Sequence, residues 1–374
     1  MSAPQGRRRQ FSVETLDSPE ELAAVAESWD VLAEANPTPF ATCDWLVAWW
    51  QYATRATQCV LLREPGGTIC AGALVQHRPL RGVRGAADVH SGDWGVVAAG
   101  EHERDAVWRQ LTELAHPVGR LLLPALDEPA VTAVRSALEP SGFHFVELGR
   151  LDSPAVGLPA SYDDLLAGAS RNLRSQLGRA RRAMERLGTL TVRTAGPQRP
   201  LADDIERFLR LEASGWKGQE GTAILGSPRT ARLYRDFAAA AFANGRLRLL
   251  LLELDGALVA ADLSYRIGPR TTLVKTTYDE RYASLRPGLV LRGEALRAAV
   301  EEGSTEYDFL GGPDAYKLRW AGELRPRRQL LAVRGPWRVE AAYREELRPR
   351  LGRLHRWLGS AMRPGRPGQE DGSG

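Results

Sequence analysis

Lysine is rare in this chain: among 50 Lys and Arg residues, only Lys217, Lys275 and Lys317 are lysine. A GC-rich codon bias accounts for the abundance of arginine, so each remaining lysine marks a position where arginine serves less well. Lysine carries three donors on a compact head and a flexible stem, a head suited to steadying an oxyanion or a phosphate. Lys317 stands beside Tyr316 after a double glycine in GGPDAYKLRW, where the plain alternative is a packed tyrosine and a solvated lysine. Lys275 interrupts the strand-like TTLVKTTY, whose alternation puts Lys275, Thr277 and Asp279 on one face and Thr276 and Tyr278 on the other. A charge in mid-strand needs a partner. Asp262 on the neighbouring strand is the expected one, which makes Lys275 structural. Lys217 follows Trp216 in the Gly-flanked loop SGWKGQEG, where the two could close over an acceptor pocket.

Three further groupings could bind or move charge. SLRPG opens a helix whose first amides and positive dipole end form a ready anion site, flanked by Arg281 and Arg286. A plain strand-to-helix connection with surface arginines reads the same. The helix after Ser170 carries Arg171, Arg174, Arg179, Arg181, Arg182 and Arg186 around a stripe of Leu173, Leu177, Ala180, Met184 and Leu187. Its ordinary reading is a solvated amphipathic face, and its functional one a contact with a polyanion. In ADVHSGDWGVV, His90 and Asp93 sit among small residues after a strand, where either could accept a proton from an amine. No serine–histidine–acid motif surrounds them. Trp45, Trp49 and Trp50 in CDWLVAWWQYA read as a core helix.

The elements that must position these residues repeat loosely. CVLLREPGGTICAGALVQHR and RLRLLLLELDGALVAADLSYRI each read as strand, tight turn, strand, the second turning on Asp255-Gly256. Each half then closes as helix, glycine stop and strand, with stops at Gly142 and Gly303. The spacing predicts two related α+β units, with a seam near 151–162 and the second unit better defined. Residues 1–10 and the Pro/Gly-rich RPGRPGQEDGSG tail read as disordered, 11–155 as the first unit, 156–335 as the second, and 336–374 as a C-terminal helix and tail.

Composition narrows the classes. With 43% apolar and 26% charged residues over 374 positions the chain is globular, and a net charge of +4 argues against nucleic acid binding by the whole surface. Cys43, Cys59 and Cys70 show no paired spacing and six histidines no zinc pattern, so free thiols and no metal are expected. LRLLLLEL is too short to span a bilayer and the basic start precedes no apolar run, so a cytoplasmic protein is expected. It would be monomeric or homodimeric.

Four segments in combination resemble a known family: LEASGWKGQEGTAI (211–224), TYDERYASLRPGLVL (277–291), YDFLGGPDAYKLRWAG (307–322) and the basic helix from Ser170. They are similar to the CelD-like, FemAB-related branch of the GNAT acyltransferases, and the first half resembles the degenerate partner unit of tandem GNAT proteins. The resemblance implies two GNAT-like units, each with a mixed, mostly antiparallel sheet flanked by helices. It implies acyl-CoA, such as acetyl-CoA, as co-substrate along Thr276, Thr277 and Tyr278, with its pyrophosphate near Arg281, Arg286, Gly288 and Leu289. RYASLRPG departs from the family's two-glycine phosphate turn. Tyr316 would protonate the leaving thiolate and Lys317 stabilise charge, with Asp279, Asp314 or His90 as base. His90, Asp93, Trp216, Lys217, Arg171 and Arg174 would line the acceptor side. The expected function is N-acyl transfer to an amine of a small or polymer-linked acceptor. The alternatives are Fem-like aminoacyl transfer from tRNA and a non-catalytic binding module.

Overall fold

The computed structural model describes residues 11–344 apart from 36, 79, 117, 197–198, 216–220 and 222. In the first half come β1 (Ser12–Leu16), α1 (Pro19–Ala24), α2 (Ala26–Ala33), α3 (Cys43–Gln51), β2 (Thr57–Arg63), β3 (Ile69–Arg78), β4 (Gly82–Gly85), β5 (Val97–Ala98), α4 (Glu101–Ala115), β6 (Arg120–Leu126), α5 (Glu128–Leu138) and β7 (His144–Gly157). The second half follows with α6 (Tyr162–Gly168), α7 (Arg171–Glu185), β8 (Leu190–Thr194), α8 (Leu201–Ser214), α9 (Pro228–Ala243), β9 (Leu247–Leu254), β10 (Ala257–Ile267), β11 (Arg270–Tyr278), α10 (Pro287–Glu301), β12 (Glu306–Asp308), α11 (Ala315–Leu318), β13 (Glu323–Val333) and α12 (Arg338–Ala342).

The expected hairpins form as β2–β3 and β9–β10. Asp255 and Gly256 both take positive φ, 49° and 79°, as a two-residue hairpin turn requires. The halves echo each other, because β4 runs parallel to β6 across α4 and β11 runs parallel to β12 across α10. Every other strand pair is antiparallel.

The last strands are exchanged. β13 lies against β6, β7 lies against β12, and β7 and β13 pair along their length from Ala155↔Glu323 to His144↔Val333. One 13-stranded sheet results, in the order β1-β2-β3-β4-β6-β13-β7-β12-β11-β10-β9-β8 with β5 on β3. The expected seam at 151–162 falls at the end of β7 and in the connection after it. The segments 1–10 and 345–374 lie outside the described residues.

Helices cover both faces. On one face α3, α8 and α9 share a core in which Trp45 meets Tyr234 and Phe237 edge-on, so both halves contribute to one apolar layer. Trp45, Trp49 and Trp50 are buried there, as expected of a core helix. A polar seam crosses the same layer: Arg246 reaches Asp30 and Asp44, and the Tyr265 hydroxyl donates to Asp44 at 2.7 Å. On the opposite face α10 packs on β10 and against α7, burying Ala180, Met184, Val290 and Leu291 together. Leu187, expected on the buried stripe of α7, is 60% exposed because the helix ends before it, with Arg186 as its C-cap. Among the described residues, no helix is long and apolar enough to cross a membrane.

Candidate functional site

β11 and β12 pair over only Arg270–Thr272 and Glu306–Asp308. Beyond that point β11 continues to Tyr278 while the other chain turns away at Phe309, and a wedge opens between them. A bulge sharpens the departure: Leu263 and Ser264 of β10 face Lys275 and Leu273, leaving Val274 as the extra residue of β11. The wedge-side edge of β11 from Leu273 to Tyr278 therefore lies beyond any partner strand, as a ladder edge with backbone groups to offer. Thr276 and Thr277 are half-buried along it, and Tyr278 is 40% exposed at its outer end.

Below the wedge, on the α10 side, lies a buried charge cluster. Arg292 and Asp262 are 2% and 1% exposed. Arg292 Nη2 donates to Asp262 Oδ1 at 3.0 Å and Nη1 to the Tyr307 hydroxyl at 2.7 Å, which stands 3.2 Å from Ser264 Oγ. Burial holds the Asp262 carboxyl above its ordinary range against the pull of Arg292 and a hydrogen bond from Thr276. The expected Lys275–Asp262 pair is thus replaced. Asp262 faces α10 together with its cross-strand neighbour Thr276, and alternation sends Lys275 to the opposite face.

Tyr316 belongs to α11, beside this cluster. The residue is 43% exposed overall, yet burial around the hydroxyl pushes its pKa well up, opposed by the Arg292 guanidinium. It is a protonated phenol at neutral pH. Lys317 is only 6% exposed, and its ammonium is committed. Nζ donates to the carbonyls of Leu310 at 2.8 Å and Gly312 at 3.2 Å and pairs with Asp314 at 2.9 Å. Those carbonyls belong to a turn in which Leu310 and Gly311 both have positive φ, 49° and 62°. Three donors on a thin stem hold a left-handed turn where a flat guanidinium could not reach both carbonyls and the carboxylate. The expected charge stabiliser is therefore occupied as a clamp, with Asp314 as its partner.

Asp279 is likewise occupied. Its carboxylate accepts from the Arg281 backbone N–H at 3.0 Å and from the Arg281 guanidinium at 2.6 Å, which holds its pKa below the usual carboxylate range. It caps the turn before α10 and is a poor base.

On the other face, the first half reaches in. The loop after β4 brings His90 to Tyr234 of α9, with Nδ1 3.5 Å from the hydroxyl and the rings edge-to-face. Lys275 Nζ lies 5.8 Å from the centre of the same Tyr234 ring. Burial lowers the His90 pKa from its ordinary value and Lys275 lowers it further, against Asp88 and Glu212. His90 is therefore a neutral imidazole at neutral pH. Glu212, 2% exposed on α8, accepts from Ile224 N–H at 2.9 Å.

The same loop is anchored by Asp93. Asp93 accepts from Thr38 Oγ1 at 2.9 Å and lies 3.7 Å from Arg327, which also meets Asp308 at 3.3 Å where β12 ends. Burial pushes the Asp93 pKa up to about 6 against Arg327. Gly92 has no room for a side chain: a Cβ would lie 2.6 Å from Phe40 and 3.1 Å from Leu310. The loop is thus packed on the wedge-side turn, and Asp93 is an anchor inside the fold.

At the wedge mouth, Arg286 takes φ 55° and precedes α10. Leu289 N–H and Val290 N–H turn back onto the Arg286 carbonyl, and Pro287 has no N–H, which leaves Gly288 as the spare first-turn donor. Leu289 is half-buried behind it. Arg286 and Arg319 both donate to the amide oxygen of Gln176 on α7, at 2.7 and 2.9 Å. Arg281 is 84% exposed in its side chain. Arg174 instead donates to the carbonyls of Leu166, Ala167 and Ala169, closing the end of α6, and Arg171 is exposed on α7. Trp216 and Lys217 lie outside the described residues.

The corresponding place in the first half is crowded. A Cβ on Gly85, at the end of β4, would lie 2.5 Å from the Trp94 ring and 2.7 Å from Pro124 of β6. Glu101 and Glu103 stand in the first turn of α4, where the second half has Arg286 before α10. A phosphate is repelled there.

Sequence reasoning missed Glu212, Tyr234, Arg292, Gln176 and Arg319. Arg292 had a signal, an arginine set directly after the apolar run of GLVLRG. The others are brought in by the exchange and cross-half packing, which one-dimensional spacing does not carry. A surface cavity of about 430 Å³ beside Tyr52 and Arg232 contains none of these residues. Among the described residues, no group of three His, Cys, Asp or Glu could hold a metal ion.

Residues 171–318 match the family model described as an acetyltransferase (GNAT) domain. The solved structure of FemX superposes with a TM-score of 0.59 at 12% identity, over 88% of this chain and 99% of that one. A conserved protein of unknown function from Bacteroides thetaiotaomicron gives 0.57 at 15% identity, over 86% and 100%. The C-terminal domain of a putative lysylphosphatidylglycerol synthetase from Agrobacterium fabrum gives 0.54 at 14%, over 86% and 95%. Among curated proteins, none matches the sequence. Residues 171–318 thus resemble a GNAT acetyltransferase domain, and the chain as a whole shares the fold of FemX.

Proposed function

We propose that the chain transfers an acyl group from a pantetheine thioester, of which acyl-CoA is the simplest, to the amine of a second substrate. The observation that carries this reading is the wedge: the unpaired edge of β11 beyond Thr272 can take the amide-bearing arm of the donor as an added strand. Near its mouth the spare Gly288 N–H and the Arg286 and Arg319 guanidiniums, both held by Gln176, supply donors suited to a phosphate.

The two faces of the wedge divide the chemistry. As the amine nitrogen bonds to the acyl carbon and the C–S bond breaks, Tyr316 delivers its proton to the departing sulfur. His90, kept neutral by burial and Lys275, receives the amine's proton. Lys317 positions Tyr316 by holding the turn that precedes α11. Tyr234 and Lys275 orient the imidazole, and the acceptor's amine approaches from the His90 side.

Thermal unfolding with acetyl-CoA, longer acyl-CoAs, free CoA and aminoacyl-tRNA tests the donor. A ligand at a hundred times its Kd adds about 2.7 kcal/mol. The reading expects a rise in Tm with an acyl-CoA that is lost in Arg286→Glu. A salt-sensitive rise with aminoacyl-tRNA alone, and none with any CoA, would sink it.

A further inference from the structure

The exposed face of α7 is charged beyond what the fold needs. At about 100° per residue, Arg171, Arg179, Arg182 and Arg186 fall within roughly 80° of one another. They lie directly opposite the buried Leu173, Ala180 and Met184. All four are exposed, and among the described residues none has a carboxylate partner. Arg181, on the flank, is by contrast tied to Glu185 and Glu294. The stripe runs the length of α7, 15 residues. At 1.5 Å per residue that is about 22 Å, longer than a single nucleotide reaches. It joins the donor mouth directly, since Gln176 of the same helix holds Arg286 and Arg319.

The mouth itself is modest. One spare first-turn amide and two arginines suit a single phosphodiester better than a pyrophosphate with a further 3′-phosphate. A duplex RNA would present phosphates in two rows across a groove, whereas this surface is one straight row, one helix wide. Arginine's fork pairs bidentately with carboxylates, as an acidic helix would offer.

We propose that the acyl donor is delivered by an acidic carrier protein, whose acidic face docks on Arg171, Arg179, Arg182 and Arg186. Its phosphopantetheine arm enters the wedge past Arg286 and Arg319. This rests on the acyl-transfer reading and names the source of the thioester. Atoms balance as before: the C–S bond breaks, the acyl group passes to the amine, and the carrier's thiol leaves with the proton from Tyr316.

The test compares a hexanoyl carrier protein with hexanoyl-CoA on the full chain, by fluorescence anisotropy and by thioester consumption with a mixture of amines. The variants are Arg179→Glu/Arg182→Glu and, to keep the charge, Arg179→Lys/Arg182→Lys. Both positions are exposed and, among the described residues, their side chains make no hydrogen bonds, so folding is expected to be retained. Charge reversal is expected to weaken carrier binding by roughly tenfold or more, in a salt-dependent way, because rim charges steer docking. Binding of hexanoyl-CoA stays unchanged, and the lysine pair retains most of the carrier affinity. Carrier binding that is indifferent to the reversal overturns the proposal, and so does an equal loss for hexanoyl-CoA. Binding of charged tRNA that the reversal abolishes, with the carrier ignored, assigns the stripe to RNA instead. Consumption of hexanoyl-CoA with the carrier ignored removes only this inference. Consumption of neither thioester removes the acyl-transfer reading with it.

Discussion

Lys317→Met separates two roles that the sequence alone leaves together. The substitution keeps an unbranched stem and removes the ammonium. The Leu310 and Gly312 carbonyls lose their donor, at 2.8 and 3.2 Å, in a site where the lysine is 6% exposed. A hydrogen bond from a charged donor contributes about 1.5–3 kcal/mol, and the longer of the two falls at the low end. The Asp314 partner is 58% exposed in its side chain, so that ion pair adds less than about 1 kcal/mol after screening. The expected loss is about 3–5 kcal/mol. Over 374 residues, at about 2.1 cal/mol/K per residue, the unfolding entropy is about 0.8 kcal/mol/K, so Tm falls by about 4–6 °C. Scanning calorimetry reads the shift, and limited proteolysis locates it at residues 308–314. Thioester consumption should fall with it, because Tyr316 loses its fixed position. A hundredfold fall in kcat with Tm unchanged would refute the clamp and return Lys317 to direct charge stabilisation.

Further expectations follow from the same geometry. Arg292→Leu leaves Asp262 buried without its partner and should cost about 3–5 kcal/mol, whereas Asp262→Leu/Arg292→Leu recovers most of that in chemical denaturation. Asp93, with its folded pKa raised to about 6, favours the fold most below its unfolded pKa, and that stabilisation is lost as pH rises toward 6. Asp93→Asn should flatten stability between roughly pH 4 and 6, read as Tm against pH. His90→Gln should remove the acid limb of the pH–rate profile, which in the native chain lies below the ordinary imidazole value because burial and Lys275 lower the pKa. Tyr316→Phe should cut kcat by roughly a hundredfold or more with little change in donor Kd, by single-turnover measurement.

The elements were legible because their signals are local. Asp255-Gly256 names its own turn, Ser170 and Ser227 cap the helices they precede, and Pro287 opens α10. Leu187 misled because helical spacing continues on paper past the point where the helix ends. The partners of charges were not legible. Lys275 has Asp262 on the adjacent strand, but Arg292 reaches that carboxylate from a helix 30 residues further along the chain. Asp279 and Lys317 looked reactive by type, and only the surrounding hydrogen bonds reveal them as a cap and a clamp. The exchange of β7 and β13 has no sequence signature, because each strand alternates as well beside one neighbour as beside the other.

The central claim is that the donor lies along the free edge of β11. Amide hydrogen exchange, with and without a non-hydrolysable acyl-CoA analogue, tests it at that edge. The account expects slowed exchange confined to Leu273–Tyr278 and Gly288, with the first-half strands β4 and β6 unchanged. Protection at β4 and β6, or none on β11 under conditions where thioester is consumed, would contradict it.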